Sequence, residues 1–329
     1  MKKGIIILSV ILVAIFLVFN TRTPFLTKEK SSWSVGFDHF KNLEDSKNIE
    51  EKYIFSKEKL KLIDATTIFL ADPFFVYENN KYYLFFEHQK NKPGADISLM
   101  VSDDGINYQF KGTVLDEDFH LSYPQVFEYK DNFYMIPETQ AAEQVLLYQS
   151  YDFPYDWKVK DTLLKNTKLK DPTIYLSDKY NILLGSDDEM NLHIFHANSL
   201  FEDWQPHENK IVMMGTEARA GGRFIEYENN LYIPIQNSTK GYGYGLSLYK
   251  FEYNDGNYNI ERAFPLHMKA NKAIKAFNAG MHHLDFQKVN NKYYAVYDGN
   301  TFKSNPKTKL NIRGPLKWNF KDFMNWVLK

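Results

Sequence analysis

Apolar and polar positions recur along the chain in a unit that appears five times without gaps. Each unit begins with a head residue, continues with an apolar pair, a polar turn and a second apolar run, and ends at a tail residue. Asn-rich turns tolerate left-handed backbone, so two apolar runs around such a turn predict a β-hairpin. The five segments are 72–87 (DPFFVYENNKYYLFFE), 123–138 (YPQVFEYKDNFYMIPE), 171–186 (DPTIYLSDKYNILLGS), 221–236 (GGRFIEYENNLYIPIQ) and 283–298 (HLDFQKVNNKYYAVYD).

The hairpins are flanked by further strands, which predicts an all-β, five-bladed β-propeller. Runs such as 82–86 (YYLFF) are too continuously apolar for a surface strand, so both of their faces should be covered. Residues 33–37 (WSVGF) read as a strand without a nearby partner and should complete the fifth blade, closing the ring. A solenoid or two packed sheets are the alternatives, and ring closure is favoured because it protects strand edges. The additional strands are expected at 97–102, 145–150, 192–197 and 246–251.

The N-terminus predicts a membrane anchor. Lys2 and Lys3 precede an uncharged run over 4–19 that would span roughly 24 Å as a helix. No small-residue cleavage site follows, which favours an uncleaved, single-pass signal anchor with the globular part outside the cytoplasmic membrane. The expected order is a transmembrane helix at 1–20, a linker at 21–32, the propeller at 33–300 and a basic, aromatic segment at 301–329 packed on it. A membrane-surface role for that last segment is the alternative.

Composition excludes several classes of function. The net charge of −1 provides no field that would attract nucleic acid. The absence of cysteine excludes disulfides, thiolate metal sites and a cysteine nucleophile. Nucleotide-binding, zinc-protease and serine-hydrolase motifs are missing, and adjacent histidines diverge on a strand. The sequence therefore predicts no cofactor and no metal.

Hairpin geometry predicts where the chemistry lies. A hairpin brings its first and last residues to the same end, so all heads and tails should surround one mouth of the central channel. Dissimilar polar residues at equivalent positions of a repeat are typical of a site built on a scaffold. The heads are Asp72, Tyr123, Asp171, Gly221 and His283; the tails are Glu87, Glu138, Ser186, Gln236 and Asp298; His120, Arg219 and His282 lie just before three of the heads.

These segments resemble two nested groups of proteins. The broader group is the five-bladed propeller glycosidases of glycoside hydrolase families 43, 32, 68 and 130, which often carry an early Asp-Pro like that at 72–73. The closer resemblance is to the N-terminal domain of plant glucosamine inositolphosphorylceramide transferase, which also occurs in bacteria. It is carried by ADPF at 71–74, HLSYP at 120–124, YMIPET at 134–139 and ARAGG at 218–222. The chain departs from it at His283, where that family tends to have Thr, and in the membrane segment.

The resemblance and the ring of carboxylates together predict a glycoside-active enzyme, a hydrolase or transferase acting on extracytoplasmic or cell-surface polysaccharide. Glycosidic chemistry needs one carboxyl group that holds its proton and one that is ionised. In the glycosidase group a first-blade Asp acts as base or nucleophile and a later Glu as acid, which implies Asp72 and Glu138, with Asp171 tuning them. Substrate binding is expected from Glu87, His120, Tyr123, Arg219, Gln236, His282, His283 and Asp298. The alternatives are a non-catalytic carbohydrate-binding propeller and a protein-interaction platform.

Overall fold

The chain folds into five small antiparallel sheets arranged as a ring. A computed structural model describes residues 2–18, 24–207, 213–254 and 256–327. Strands of consecutive sheets are in contact, and the fifth sheet contacts the first, so the ring is closed. These five sheets are the blades of a propeller, and they confirm the predicted fold. Blades I to V are numbered in chain order of their inner hairpins.

The first three blades are built from consecutive strands, ordered here from the channel outward. Blade I contains Thr67–Glu78, Lys81–Lys90, Ala95–Ser102 and Gln109–Leu115. Blade II contains Ser122–Tyr129, Asn132–Glu138, Val145–Asp152 and Tyr155–Leu164. Blade III contains Lys170–Leu176, Asn181–Ser186, Asn191–Ala197 and the short strands Gln205–Pro206 and Met213–Met214. All three inner hairpins lie where the repeat predicts them.

The last two blades depart from this simple order. In blade IV the innermost strand is split into two pieces, and in blade V the third strand comes from near the N-terminus. Blade IV contains Arg219–Ala220, Ile225–Tyr227, Asn230–Asn237, Gly245–Asn254 and Asn257–Lys269. Blade V contains Leu284–Val289, Lys292–Phe302, Lys30–Phe40 and Ile54–Phe55. Trp33 pairs with Asn300 and Phe37 with Val296, so the predicted closing strand is confirmed.

Among the described residues, the hydrophobic core consists of five large clusters, one between each pair of neighbouring blades, and a small sixth cluster of Phe74, Tyr123 and Ala220 from blades I, II and IV. Successive side chains of a strand point to opposite faces of the sheet. Each inner strand therefore contributes apolar side chains to the clusters on both sides of its blade. In blade I, Leu84 and Phe86 pack towards blade V. Phe85, between them, packs towards blade II. This two-sided burial explains why the second run of each hairpin is continuously apolar.

Several helices and one additional two-stranded sheet lie outside the blades. Leu26–Lys28 pairs with Thr308–Leu310, which joins the two ends of the described propeller region. The α-helices are Lys2–Val18, Lys57–Lys61 and Arg313–Val327. The 3-10 helices are Glu44–Lys47, Glu51–Tyr53, Gln140–Ala142 and Lys275–Phe277. The packing of the C-terminal segment on the propeller stays a prediction.

The predicted transmembrane helix is not supported by the structure. A helix does form at the N-terminus, but it covers the 17 residues Lys2–Val18. At 1.5 Å per residue it is about 26 Å long, against roughly 30 Å for the apolar part of a bilayer. Among the helices of the described residues, none has both the length and the apolar character needed to cross a membrane. Positions 1, 19 and 20 of the predicted span lie outside the described residues.

Candidate functional site

Three innermost strands share a bulge at their head residues. Asp72, Tyr123 and Asp171 have positive φ angles of 49°, 50° and 49°, and each is followed by a proline. At each position the strand pairing shifts so that two residues oppose one on the partner strand. A bulge bends the strand and re-aims a side chain, and positive φ is uncommon for residues other than glycine. The repeated bulge therefore gives all three heads the same orientation at one end of the channel.

Blade IV achieves the same turn with glycine. Its head, Gly221, is followed by Gly222 at φ 147°, and the innermost strand is interrupted there. A Cβ on Gly222 would lie 1.8 Å from the carbonyl oxygen of Leu284 in blade V. No side chain fits into that space, so blade IV brings its backbone directly against blade V. Arg219, two residues before the head Gly221, pairs with the tail Gln236, and its guanidinium is the charged group of this blade at the mouth.

A cluster of charged groups joins blades II, III and IV. The guanidinium of Arg219 donates a hydrogen bond from Nη2 to Asp171 Oδ1 at 2.9 Å and lies 3.5 Å from Glu138 Oε2. Gln236 Nε2 donates to Asp171 Oδ2 at 2.7 Å, and the backbone N–H of Asp171 donates to Glu138 Oε2 at 3.0 Å. Four predicted site residues therefore form one hydrogen-bonded group. Since only Arg219 is cationic, it neutralises one of the two carboxylates.

A second cluster joins blades I and V. Asp298 accepts hydrogen bonds from the backbone N–H groups of Asp72 at 3.0 Å, His282 at 3.2 Å and His283 at 3.1 Å. Its carboxylate also accepts the ring Nδ1 of His282 at 2.9 Å. Asp72 Oδ1 lies 3.7 Å from His282 Nδ1. Asp298 thus holds the head of blade I against the two histidines of blade V.

The remaining predicted residues lie around these clusters. Glu87 Oε1 lies 3.5 Å from His120 Nε2, and the side chain of His120 is 39% exposed. Ser186 donates to the carbonyl oxygen of Ala218 at 2.7 Å and is fully buried. The structure therefore brings the carboxylates, Arg219, Gln236 and the histidines to one end of the channel, and Ser186 forms part of the supporting structure.

Tyr123 and His283 are more deeply buried than a substrate contact would be. The Tyr123 hydroxyl lies 2.8 Å from the Thr173 hydroxyl and accepts the Gly222 N–H at 2.7 Å. The His283 ring packs against Phe74 and Tyr123 with centroids 4.5 and 5.3 Å away. Both residues are 0% exposed, as is Asp298. Their observed contacts are with the protein interior, and they hold the site from below.

Burial and mutual repulsion alter the acidity of the carboxyl groups. Burial and the neighbouring charge of Asp171 raise the pKa of Glu138 to about 7. The pKa of Asp72 is raised well above its usual range by burial and by the negative charges of Glu87 and Asp171. The pKa of Glu87 is likewise raised by burial and by the negative charge of Glu138. Burial alone would raise the pKa of Asp298 too, but His282, His283 and the backbone N–H of Asp72 together outweigh it and lower that pKa. The site thus contains carboxyl groups of unequal acidity, which is the asymmetry that acid–base chemistry requires.

Two aromatic residues complete the site, and the sequence pattern did not single them out. The Trp33 ring stacks on His282 with centroids 3.7 Å apart. The Tyr242 hydroxyl lies 2.8 Å from His282 Nε2, and Arg219 lies over the Tyr242 ring at 5.4 Å. Tyr242 is 49% exposed, so it can meet a ligand that enters the mouth. The signal for it was the run GYGYG at 241–245, in a loop between two strands.

The second cluster also has the composition of a metal-binding group. Asp72, His282 and Asp298 each offer one ligand atom, and these atoms lie within 4.8 Å of one another. The Asp298 carboxylate, however, already accepts three backbone N–H groups and the His282 ring. A metal would have to replace the ring contact of His282 with Asp298. The expectation that the protein binds no metal is untested.

Comparison with known proteins gives the following relatives. Residues 28–300 match the family described as "Glucosamine inositolphosphorylceramide transferase 1, N-terminal". The protein of that name from Oryza sativa subsp. japonica is 32% identical over 263 residues, which cover 75% of this chain and 35% of the relative. The one from Arabidopsis thaliana is 32% identical over 251 residues, covering 72% and 33%. The chain spans about a third of the length of these curated relatives.

Solved structures of similar shape are glycoside hydrolases. A putative glycoside hydrolase from Parabacteroides distasonis has a TM-score of 0.53 and 13% identity, covering 74% of this chain and 88% of that one. An α-L-arabinofuranosidase from Clostridium thermocellum has a TM-score of 0.52 and 15% identity, covering 69% and 81%. At these identities the likeness is one of fold.

Proposed function

The chain belongs to the glucosamine inositolphosphorylceramide transferase 1 N-terminal family, and from this premise we propose that it is a glycoside-active enzyme. The site would act on the glycosidic bonds of a polysaccharide or glycolipid headgroup, by hydrolysis or transfer. The observation that carries the proposal is the buried group of unequally acidic carboxyls around Arg219 at one mouth of the channel. Cleavage or formation of a glycosidic bond requires such a pair.

We assign Glu138 as the general acid. A raised pKa keeps part of the Glu138 population protonated near neutral pH, so that it can donate a proton to the leaving oxygen. Its value of about 7 arises from burial and from the Asp171 charge. Arg219 and Asp171 would then hold Glu138 in position. The backbone N–H of Asp171 donates a hydrogen bond to Glu138, and the Asp171 carboxylate accepts one from Arg219.

We assign Asp72 as the base or nucleophile. Its position on a strained bulge, fixed through its backbone N–H by Asp298, suits a group that must be held rigidly. Burial and the neighbouring Glu87 and Asp171 raise the pKa of Asp72 as well, so a bound substrate that displaces their influence or a higher pH would favour its ionised form. Activity should therefore rise with pH as Asp72 ionises and fall again as Glu138 loses its proton.

Substrate contact is proposed for the accessible residues around these carboxyls. Arg219, His120 and Tyr242 present polar groups at the mouth, and Trp33 offers a ring stacked on His282. Glu87 is 7% exposed and Gln236 is 2% exposed, so Glu87 would act through His120 and Gln236 through Asp171. Tyr123, His283 and Asp298 would act by positioning, since they are fully buried.

The test is turnover by Asp72→Asn and Glu138→Gln variants. Candidate polysaccharides and aryl glycosides would be incubated with each variant and with the unmodified chain, and products would be followed by chromatography. Loss of a general acid or base is expected to lower kcat by about 10²- to 10⁴-fold. Glu261→Gln, an exposed position on blade IV, serves as the matched control and should retain full activity. Unchanged turnover in both site variants, with normal thermal unfolding, would exclude this mechanism.

A non-catalytic carbohydrate-binding propeller is the second candidate. The observation that favours it is the burial of Asp72 near Glu87 and Asp171, which raises its pKa and so favours hydrogen bonding to sugar hydroxyls over action as a base. In that case oligosaccharide binding should survive in the Asp72→Asn variant, and no product should form from any glycoside during long incubation.

The extracytoplasmic location is a proposal supported by the sequence alone. Lys2 and Lys3 before the apolar run at 4–19 favour a cytoplasmic N-terminus and a propeller on the other side of the membrane. Fractionation of cells, followed by protease treatment of intact spheroplasts, measures this. A propeller that resists the protease, or that stays in the soluble fraction, would contradict the proposal.

A further inference from the structure

Three adjoining cavities form a groove at the end of the channel opposite the carboxylates. Their volumes are about 430, 560 and 690 Å³. The first and second share Tyr175, Glu226 and Lys288, and the second and third share residues 177–180. Residues 177–180 form the hairpin turn of blade III, which lies at the other end of the strands from the head and tail. The groove thus runs from the channel opening outward between blades III and IV.

Aromatic rings line the outer part of this groove. Tyr253 and Tyr258 stand at the turn between two strands of blade IV, with ring centroids 4.8 Å apart and planes at 34°. Tyr180 of blade III lies 4.9 Å from Tyr253, and His207 lies 4.7 Å from Tyr258. All three tyrosines are half-buried, so that part of each ring faces the cavity. The Tyr253 and Tyr258 rings form a shallow platform beside the boundary of the two blades, while the Tyr180 and His207 rings are tilted by 56° and 66° to their neighbours.

The polar groups of the groove suit an uncharged ligand. Within the described residues, the hydroxyls of Tyr180, Tyr253 and Tyr258 have no recorded hydrogen-bond partner, so they are available to a ligand. The ionisable groups along the groove are nearly balanced in sign, and the Glu226 carboxylate already accepts the Tyr175 hydroxyl at 2.9 Å. These are the acidic Glu128, Asp178, Glu226 and Glu228, the basic Lys179, Arg223 and Lys288, and the histidines His196 and His207 at the outer end. A strongly charged polymer would gain little here.

We infer that this groove is a second, non-catalytic binding site for a neutral glycan chain. Aromatic faces carry negative charge density and pack against the C–H faces of sugar rings, while nearby hydroxyls and amides meet the sugar hydroxyls. Each cavity falls within the roughly 300–1,000 Å³ typical of ligand pockets, and their continuity suits several linked sugars. The inference rests on the proposed function in one respect, the choice of a glycan as ligand. Such a groove would hold a long polymer on the enzyme while a distant part of it occupies the mouth.

The test measures binding of neutral hexasaccharides by calorimetry. The probes are hexaoses of xylose, arabinose, galactose and glucose, with a hexameric oligogalacturonide as the acidic comparison. The full chain carries Asp72→Asn so that no probe is consumed. Replacing Tyr253 and Tyr258 by Ala is expected to weaken binding of at least one neutral hexaose at the groove by tenfold or more. Replacing both by Phe, which keeps the platform, should cost less than threefold.

Two controls separate binding from folding. Tyr151 and Tyr155 on blade II are 57% and 43% exposed and lie outside the groove, so the double Ala variant there should bind normally. If the Tyr253/Tyr258 Ala variant unfolds, Asn198→Arg fills the cavity from an exposed rim position and should produce the same loss. Equal affinity in the groove variants, absence of binding by every neutral hexaose, or preference for the acidic probe would overturn the inference.

Failure of the groove and failure of the mouth give different results. Turnover of a small aryl glycoside requires the mouth alone, so groove variants should leave it unchanged. If the mouth performs no glycoside chemistry, turnover is absent from the unmodified chain, yet the hexaose titration of the groove can still be made. Arg219→Ala removes binding only at the mouth and should leave the groove titration intact.

Discussion

At the scale of single residues, Glu138 couples the site to the stability of the fold. Its pKa is raised from 4.5 to about 7 in the folded chain, chiefly by burial. The folded state therefore holds this proton more tightly than the unfolded state does. The corresponding stability is fully present below pH 4.5 and is lost as the pH rises through 7.

Glu138→Gln should remove this pH dependence. Glutamine resembles the protonated carboxyl, so the variant should melt close to the unmodified protein at pH 4.5 and several degrees higher at pH 8. Thermal unfolding followed by circular dichroism at both pH values measures the difference. Glu261→Gln, at an exposed position, should shift the melting temperature equally at both. A melting difference for Glu138→Gln that is independent of pH would show that Glu138 is ionised throughout.

Tyr123 illustrates a residue whose predicted role changes once its surroundings are known. The sequence places it at a head position and predicts substrate binding, whereas its hydroxyl pairs with Thr173 and with the backbone of Gly222. Tyr123→Phe leaves the buried Gly222 N–H without this partner, which should lower the free energy of unfolding by about 1–3 kcal/mol. Chemical denaturation measures that loss. A variant as stable as the unmodified chain would mean that another group satisfies Gly222.

At the scale of elements, the bulge and the glycine pair determine how the blades meet. Gly222→Ala would place a Cβ 1.8 Å from the Leu284 carbonyl oxygen, so blades IV and V would have to separate. Gly112→Ala is the matched control, because Gly112 also has positive φ, at 98°, but has open space around it. We expect the control to lose about 1–2 kcal/mol from backbone strain and Gly222→Ala to lose clearly more, by denaturant titration. Equal losses would mean that the interface between the blades can yield.

The hairpins could be predicted from the sequence because each satisfies a local rule. Apolar runs such as 82–86, interrupted by turn residues such as Asn79 and Asn80, occur at one spacing in every blade. The bulges could not be predicted in this way, since they depend on how a strand meets its partner two residues after Asp72 or Asp171. Tyr242 was missed for a related reason. It reaches the site through a loop whose path is fixed by contacts with Trp33 and His282.

At the scale of the whole molecule, the order of the heads and tails along the ring produces the site. Clusters joining blades II to IV and blades V to I meet at one mouth, although their members are separated by up to 226 residues in the sequence. The sequence could predict that these residues share an end of the channel, because hairpin topology requires it. It could not predict which of them face the opening. Burial of Tyr123, His283 and Asp298 depends on the side-chain packing of several blades at once.

Ring closure by the N-terminal strand is the feature on which the whole arrangement depends. Lys30–Phe40 forms the third strand of blade V, and its Val35 and Phe37 are buried against blade I. A chain that begins at residue 42 would expose the edge of Lys292–Phe302 and the core beside it. We expect this chain to lose its cooperative melting transition and to aggregate, as measured by calorimetry and size-exclusion chromatography.

A chain that begins at residue 24 keeps the strand and should melt as the full chain does. Adding a peptide of residues 28–41 should restore part of the lost transition, because the strand pairs through its backbone. A monomeric 42–329 chain with unchanged melting would mean that the remaining strands close the ring without it.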